Sequence, residues 1–299
     1  MRRGSPQFSF SLAACASAAL IGGVFLVGCR GKGDTPAGTR GSAKASAEPP
    51  TPPLTDLRIE GDGFSGTLRL TTSLAAPLVV FLPKTYGSRR EFLPFVSRSE
   101  EVSLPAHTLV LEPPKLALVA RPPGAAVLPE EAVAPLVVAV RAAIAAVDAR
   151  VGGRPALVLV GSDFGCTLAA LVAKEEPRVR ALAMLSPGAS LHGVDLYKPF
   201  ASLGGRPVFV AGADHDPVAA EPLSALPAMA RDRATKKLYP GMAHGAGTLA
   251  SGSPAVRDDL AQWLLATVRD LTAPAPSEAG ASAATPAPTA APPAPKGTL

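Results

Sequence analysis

The sequence predicts an α/β fold in which a mostly parallel central sheet carries helices on both faces. Three observations predict it. Residues 156–160 form a continuous apolar run, partly β-branched and without alternation, which suits a strand buried on both faces. The run ends in Gly161-Ser162-Asp163-Phe164-Gly165, and an Ala/Leu-rich helical pattern follows at once. Small residues two before and two after Asp163 make that residue the apex of a very tight strand-to-helix turn. In front of the strand, Val133, Leu136, Val137, Val140, Ile144 and Val147 fall on one face at helical spacing, which predicts a helix over 130–150. Gly152-Gly153 end it.

The other elements follow in order. Residues 57–60 and 67–70 alternate apolar and polar around Gly61-Asp62-Gly63, a hairpin signal. Residues 77–82 read as a buried strand, 92–96 as a short helix beneath the loop after it, and 107–111 as the next strand. A final helix over 254–271 turns Leu260, Trp263, Leu264 and Val268 inward, with Trp263 as a core anchor.

The domain, 54–272, lies between two segments of different composition. At the N-terminus Arg2 and Arg3 precede an apolar stretch over 8–27 that ends in Leu26-Val27-Gly28-Cys29. This resembles a bacterial lipobox. Residues 1–28 are then a lipoprotein signal peptide, and Cys29 becomes an acylated N-terminus. Several acyl chains hold a protein stably to a bilayer, so the expected location is a bacterial cell envelope, lipid-anchored on the periplasmic or extracellular face. The competing readings are an uncleaved membrane anchor and an exported soluble protein. Residues 29–53 are rich in Gly, Ala, Ser, Thr and Pro and read as a flexible tether. Residues 273–299, with Pro-Ala-Pro repetition, read as a disordered tail.

Charge narrows the partners. The chain of 299 residues has a formal charge of +5, but residues 1–53 carry six Lys/Arg against two Asp/Glu, and 54–272 carry 22 against 21. The basic balance belongs to the leader, and nothing in the domain suggests a nucleic-acid partner. No phosphate-loop pattern is present. The few histidines lack metal-ligand spacing, so neither cofactor nor metal is expected. Of the three cysteines only Cys166 lies in the domain. It reads as a small packing residue; the other reading is a thiol activated at a helix start.

Four landmarks carry a family resemblance. They are the Gly161–Gly165 turn, the stretch from Pro177 to Gly188, the stretch from Pro207 to Val218 with Asp214-His215-Asp216, and Tyr239-Pro240-Gly241-Met242-Ala243-His244-Gly245. In this order they resemble the α/β-hydrolase superfamily, closest to small lid-poor bacterial hydrolases of the dienelactone-hydrolase-like kind. The resemblance implies the nucleophile–acid–histidine order, with Gly161 and Gly165 flanking a nucleophile elbow. It makes His244 the catalytic histidine and Asp216 the acid, with Asp214 as the weaker acid candidate. It also implies an oxyanion cleft bounded by Lys84 or Thr85 after the third strand and by Phe164 after the apex.

The sequence departs from the family at chemically informative places. The apex is Asp163 where a serine is usual. A carboxylate suits attack on a saturated carbon bearing a halide or an epoxide oxygen, giving an alkyl ester that His244-activated water hydrolyses. The loop after the third strand reads Pro83-Lys84-Thr85-Tyr86-Gly87 in place of His-Gly, and proline has no N–H to donate. Glu112-Pro113-Pro114 stands where Asp-x-Arg-Gly-x-Gly is common. No leaving-group donor is evident: Phe164 neighbours the apex, no lid insertion separates Pro187 from Pro207, and Tyr197 is the one tyrosine there. Three readings follow. The protein is a membrane-anchored hydrolase acting on a small molecule through Asp163, His244 and Asp216. Alternatively it is a catalytically silent binding or scaffold lipoprotein, in which Asp163 merely tolerates the strained apex and caps the helix. In the third reading it is an esterase that uses Ser162.

Overall fold

The computed structural model describes residues 56–85, 87–92, 95–96, 103–112, 130–251 and 254–273, all within the compact unit that spans 52–299. The expected leader, tether and tail, Cys29 included, lie outside the described residues.

Eight strands form the main sheet: β1 (Asp56–Gly61), β2 (Phe64–Arg69), β3 (Leu78–Leu82), β4 (His107–Leu111), β5 (Leu157–Ser162), β6 (Val179–Leu185), β9 (Val208–Ala213) and β10 (Ala234–Tyr239). Their spatial order is β1-β2-β4-β3-β5-β6-β9-β10. The β1–β2 and β2–β4 pairs are antiparallel, and every other pair is parallel. A separate hairpin joins β7 (Ser190–Leu191) to β8 (Val194–Asp195). The helices are α1 (Glu130–Val151), α2 (Phe164–Glu175), α3 (Tyr197–Ala201), α4 (Pro222–Ala230), α5 (Gly247–Ser251) and α6 (Pro254–Thr272).

Alternation along the strands divides the core in two. Leu78, Val80, Leu82, Leu157 and Leu159 pack on one face with Val133, Leu136, Val140, Ile144 and Val147 of α1 and with α2. The intervening residues Val79, Phe81, Val158 and Val160 point the other way, as successive side chains on a strand must. They meet Phe92, Phe95 and α6 through Leu260, Leu264 and Val268. The helix expected over 92–96 is described only at Phe95 and Val96, after a 3-10 turn at Arg89–Glu91. Trp263 is half-buried, its ring 5.6 Å from that of Phe209.

This order positions the site. The chain runs outward from β3 to β4, then crosses back to lay β5 against the other side of β3. Neighbouring loops therefore part at the C-terminal ends of β3 and β5, the crevice where open α/β sheets hold their ligands.

Candidate active site

Asp163 stands in that crevice. It has φ 54° and ψ −118°, the strained left-handed region for a residue with a side chain. The turn is this tight because nothing occupies its two flanks. A Cβ on Gly165 would run into the carbonyl oxygen of Leu82 at the end of β3, and one on Gly161 would come within 2.5 Å of the Gly165 carbonyl. The Asp163 side chain makes no cap bond to α2, which removes the helix-capping role. Its Oδ1 lies 3.2 Å from His244 Nε2 instead.

The structure brings Asp163, His244 and Asp216 together. The other ring nitrogen, His244 Nδ1, lies 2.7 Å from Asp216 Oδ2. Asp216 is buried beyond the end of β9, and its Oδ1 accepts a bond from the Val218 N–H at 3.1 Å. Asp214 does other work: it accepts the Gly241 N–H at 2.9 Å, bracing the loop after β10. A protonated imidazole donates from both nitrogens, and here both face carboxylates. His244 is accordingly pushed up to about 9, first by its hydrogen bond to Asp163 and, against the cost of burial, by that to Asp216. Both contacts favour the protonated ring of His244.

Ser162 is the last residue of β5 and fully buried, and its Oγ accepts the Ala246 N–H at 2.7 Å. That bond ties β5 to the loop carrying His244. Cys166 is also buried, with Sγ 3.6 Å from the Leu185 carbonyl. Burial, reinforced by the Asp163 charge, pushes its thiol well up, so the packing reading holds and the activated-thiol reading does not.

On the β3 side, Lys84 Nζ lies 3.5 Å from Glu91 Oε1. Thr85 is buried, with Oγ1 3.4 Å from His192 Nε2. Phe164 opens α2, where a first-turn N–H has no partner inside the helix. Its ring meets that of His192 edge-on, with centroids 5.3 Å apart and planes at 76°. The segment between Pro187 and Pro207 holds β7, β8 and α3, and its hairpin brings His192 against Thr85 and Phe164. The signal was there in His192-Gly193 between Leu191 and Val194, a two-residue hairpin turn. Tyr197, the one tyrosine of this segment, donates its hydroxyl to Glu221 at 3.1 Å. Among the described residues no group of three or more His, Cys, Asp or Glu is placed to hold a metal ion.

No family model matches the sequence, and no curated protein does. Solved structures do. The esterase domain of a Rhodothermus marinus protein superposes with a TM-score of 0.52 at 16% identity, covering 71% of this chain and 98% of its own. Carboxyl esterase 2 from the fungus Tuber melanosporum gives 0.53 at 13%, covering 75% and 89%. A carboxylesterase from Mesorhizobium loti gives 0.51 at 15%, covering 70% and 98%. At these identities the likeness is one of architecture, and it agrees with the strand order and the tight β5–α2 turn: the chain has the α/β-hydrolase fold.

Proposed function

We propose that the protein is a hydrolase of the bacterial cell envelope, anchored through acylated Cys29, that uses Asp163 as nucleophile, His244 as base and Asp216 as the group that orients it. The single observation that supports this reading is the continuous chain of contacts from Asp163 Oδ1 through both nitrogens of His244 to Asp216. Asp163 attacks a saturated carbon, the bond to the leaving group breaks, and an alkyl ester forms on the carboxylate. Esterification removes the negative charge that chiefly holds the proton on His244. The imidazolium then loses that proton to solvent alongside the departed anion, and the neutral ring takes a proton from water. The hydroxide oxygen adds to Asp163 Cγ, the Cγ–O bond to the alkyl group breaks, and the alcohol leaves with the proton from His244. At the end the Asp163 carboxylic acid returns a proton to His244. The resemblance to lid-poor dienelactone-hydrolase-like enzymes fits a small substrate. Ser162 is left out of the chemistry because its oxygen is buried and engaged.

A binding protein without turnover is the second reading. The ion pair that ties Asp163 to His244 favours it, because a carboxylate so engaged is a weaker nucleophile. One experiment separates the readings: incubation of the chain with esters, epoxides and haloalkanes, with intact mass recorded for wild type, His244→Ala and Ser162→Ala. Turnover by wild type and Ser162→Ala, with His244→Ala arrested as an alkyl adduct on Asp163, is the expected result. Ester turnover lost in Ser162→Ala would sink the Asp163 reading. Neither turnover nor adduct across the panel would leave the binding reading in its place.

A further inference from the structure

The candidate active site occupies the C-terminal ends of the parallel strands. A groove at their opposite ends takes no part in that chemistry. It lies between the start of β6, the loop before β9 and the last turns of α6. We propose that this groove binds a small organic anion, a carboxylate or phosphate carried on a flat apolar body. The inference is independent of the Asp163 reading.

The groove has a volume of about 600 Å³, and Arg180, Arg206 and Trp263 line it together. Arg180 arrives there through a break in the sheet. Leu157 pairs with Val179, but the next residue, Val158, pairs with Ala181, so Arg180 is one extra residue in β6. A bulge of this kind re-aims a side chain. Val179 and Ala181 join the core on opposite faces of the sheet, and Arg180 is left exposed. Arg206 precedes β9 and is half-buried. Its Nη1 donates to the Ala173 carbonyl in the last turn of α2 at 2.7 Å. That bond fixes the guanidinium and uses one of its five N–H groups.

The charges call for a partner. Burial and then the charge of Arg180 lower the proton affinity of Arg206, so the two guanidinium groups face each other closely enough to repel. Among the described residues neither has a carboxylate within ion-pair distance. Arg178, two residues before Arg180, shows the contrast, because it pairs with both Asp148 and Glu176. Asp270 is the one carboxylate among the described residues of the groove wall. The end of α6 does not need the arginines either: the Thr272 hydroxyl and the Ala273 N–H take the Val268 and Arg269 carbonyls. An anion between the two guanidinium groups relieves their repulsion and accepts from both. Their planar forks match carboxylate and phosphate oxygens. Arg233 adds to the positive potential from across the loop. With Arg206 it lines an adjoining cavity of about 510 Å³, and a Cβ on Gly205 would stand 2.9 Å from its Nη1.

The apolar part of the ligand follows from Trp263. Phe209 holds its ring from the core side at 5.6 Å, and Leu203 and Leu271 extend the apolar wall. A few convergent polar groups on an apolar concavity are the usual form of a small-molecule site. A membrane surface fits less well, because these charges line a hollow and residues 54–272 carry 22 Lys/Arg against 21 Asp/Glu.

Calorimetric titration of the full chain with phenyl phosphate and with benzoate tests the proposal. Trp263 is the one tryptophan of the chain, so a change in its emission places the binding. Saturable binding of either anion is expected, and comparison of the two identifies the preferred head group. Inorganic phosphate and benzyl alcohol, each lacking one half of the ligand, should bind at least about tenfold more weakly. Arg180→Gln should weaken binding about tenfold or more. Because Arg180 is exposed, that variant should keep the wild-type urea midpoint. His244→Ala should bind as wild type does. Several results overturn the proposal: no saturable binding of either anion, equal binding of benzyl alcohol, or affinity unchanged in Arg180→Gln. Binding lost in His244→Ala and kept in Arg180→Gln would assign the anion to the candidate active site and overturn it too. Sedimentation with phosphatidylglycerol vesicles that Arg180→Gln abolishes, without binding of either small anion, would make the groove a membrane contact instead.

Discussion

In the proposed mechanism His244 becomes a base only after Asp163 has reacted. Its elevation to about 9 comes chiefly from the hydrogen bond to Asp163 and only then from Asp216. Replacing Asp163 by Asn keeps the shape of the side chain and removes its charge, as esterification does. In Asp163→Asn, His244 should therefore titrate well below 9, by NMR of its ring carbons across the pH range. An unmoved titration would mean that Asp216 alone sets the proton affinity and that alkylation releases no base. Asp163, Asp216 and His244 were legible in the sequence because each sits in a turn with recognisable neighbours: glycines two residues away on either side, Pro217-Val218 after the acid, Gly245 after the histidine. His192-Gly193 left a turn signal, but nothing in the sequence placed His192 at the cleft. A two-residue turn leaves no periodicity, and the ring's neighbours, Thr85 107 residues back in the chain and Phe164, meet it only in the fold.

The β5–α2 turn owes its shape to two absent side chains, and the two glycine environments make different demands. At Gly165 the obstacle is backbone, the Leu82 carbonyl of β3, which cannot rotate aside. Gly165→Ala should lower stability by about 3 kcal/mol or more, at the upper end for overpacking, or push β3 and β5 apart and abolish any adduct. At Gly152, after α1, a Cβ meets nothing within 4 Å, and only φ +67° resists it. Gly152→Ala should cost about 1 kcal/mol. Urea midpoints of the two variants compare the effects directly; similar shifts would contradict the contact at Gly165. The same logic of local demand explains which elements were legible. β3, β5, β6 and β9 are buried along nearly their whole length, so their sequences are largely apolar runs, interrupted by Arg180 in β6 and ended by Ser162 in β5. β10 is an edge strand of mixed exposure. Lys236 and Lys237 interrupt its pattern, and Lys237 leaves the sheet to meet Asp259 at 3.1 Å; edge strands commonly carry lysine. α4 begins at Pro222 and contains Pro227, which hides a helix from propensity.

At the scale of the molecule a few shifted titratable groups, His244 of the candidate site among them, set how stability depends on pH. His244 has a folded value raised to about 9 from the ordinary 6.5. Between those values the folded chain binds the proton and the unfolded chain does not, so its contribution is complete below about 6.5 and is lost as pH rises through about 9. His107 works in the opposite sense. It is buried at the start of β4, its Nδ1 accepts the Thr71 N–H at 3.1 Å, and burial lowers its proton affinity despite the Leu74 carbonyl. Its contribution is present above about 6.5 and fades as pH falls through the lowered folded value. Glu176, lowered chiefly by its hydrogen bond to Arg178, adds a loss on the acid side below the ordinary 4.5. Stability should therefore peak near pH 6.5, with an alkaline decline that belongs to His244. Urea unfolding of wild type and His244→Gln from pH 5 to about 9.5 tests the assignment. The variant should be less stable at the peak and flat from pH 6.5 to about 9. A wild-type decline that survives in His244→Gln would place its origin elsewhere. The expected difference also bears on the proposed chemistry: the ion pair that steadies the fold is the one that alkylation of Asp163, if Asp163 is the nucleophile, would break.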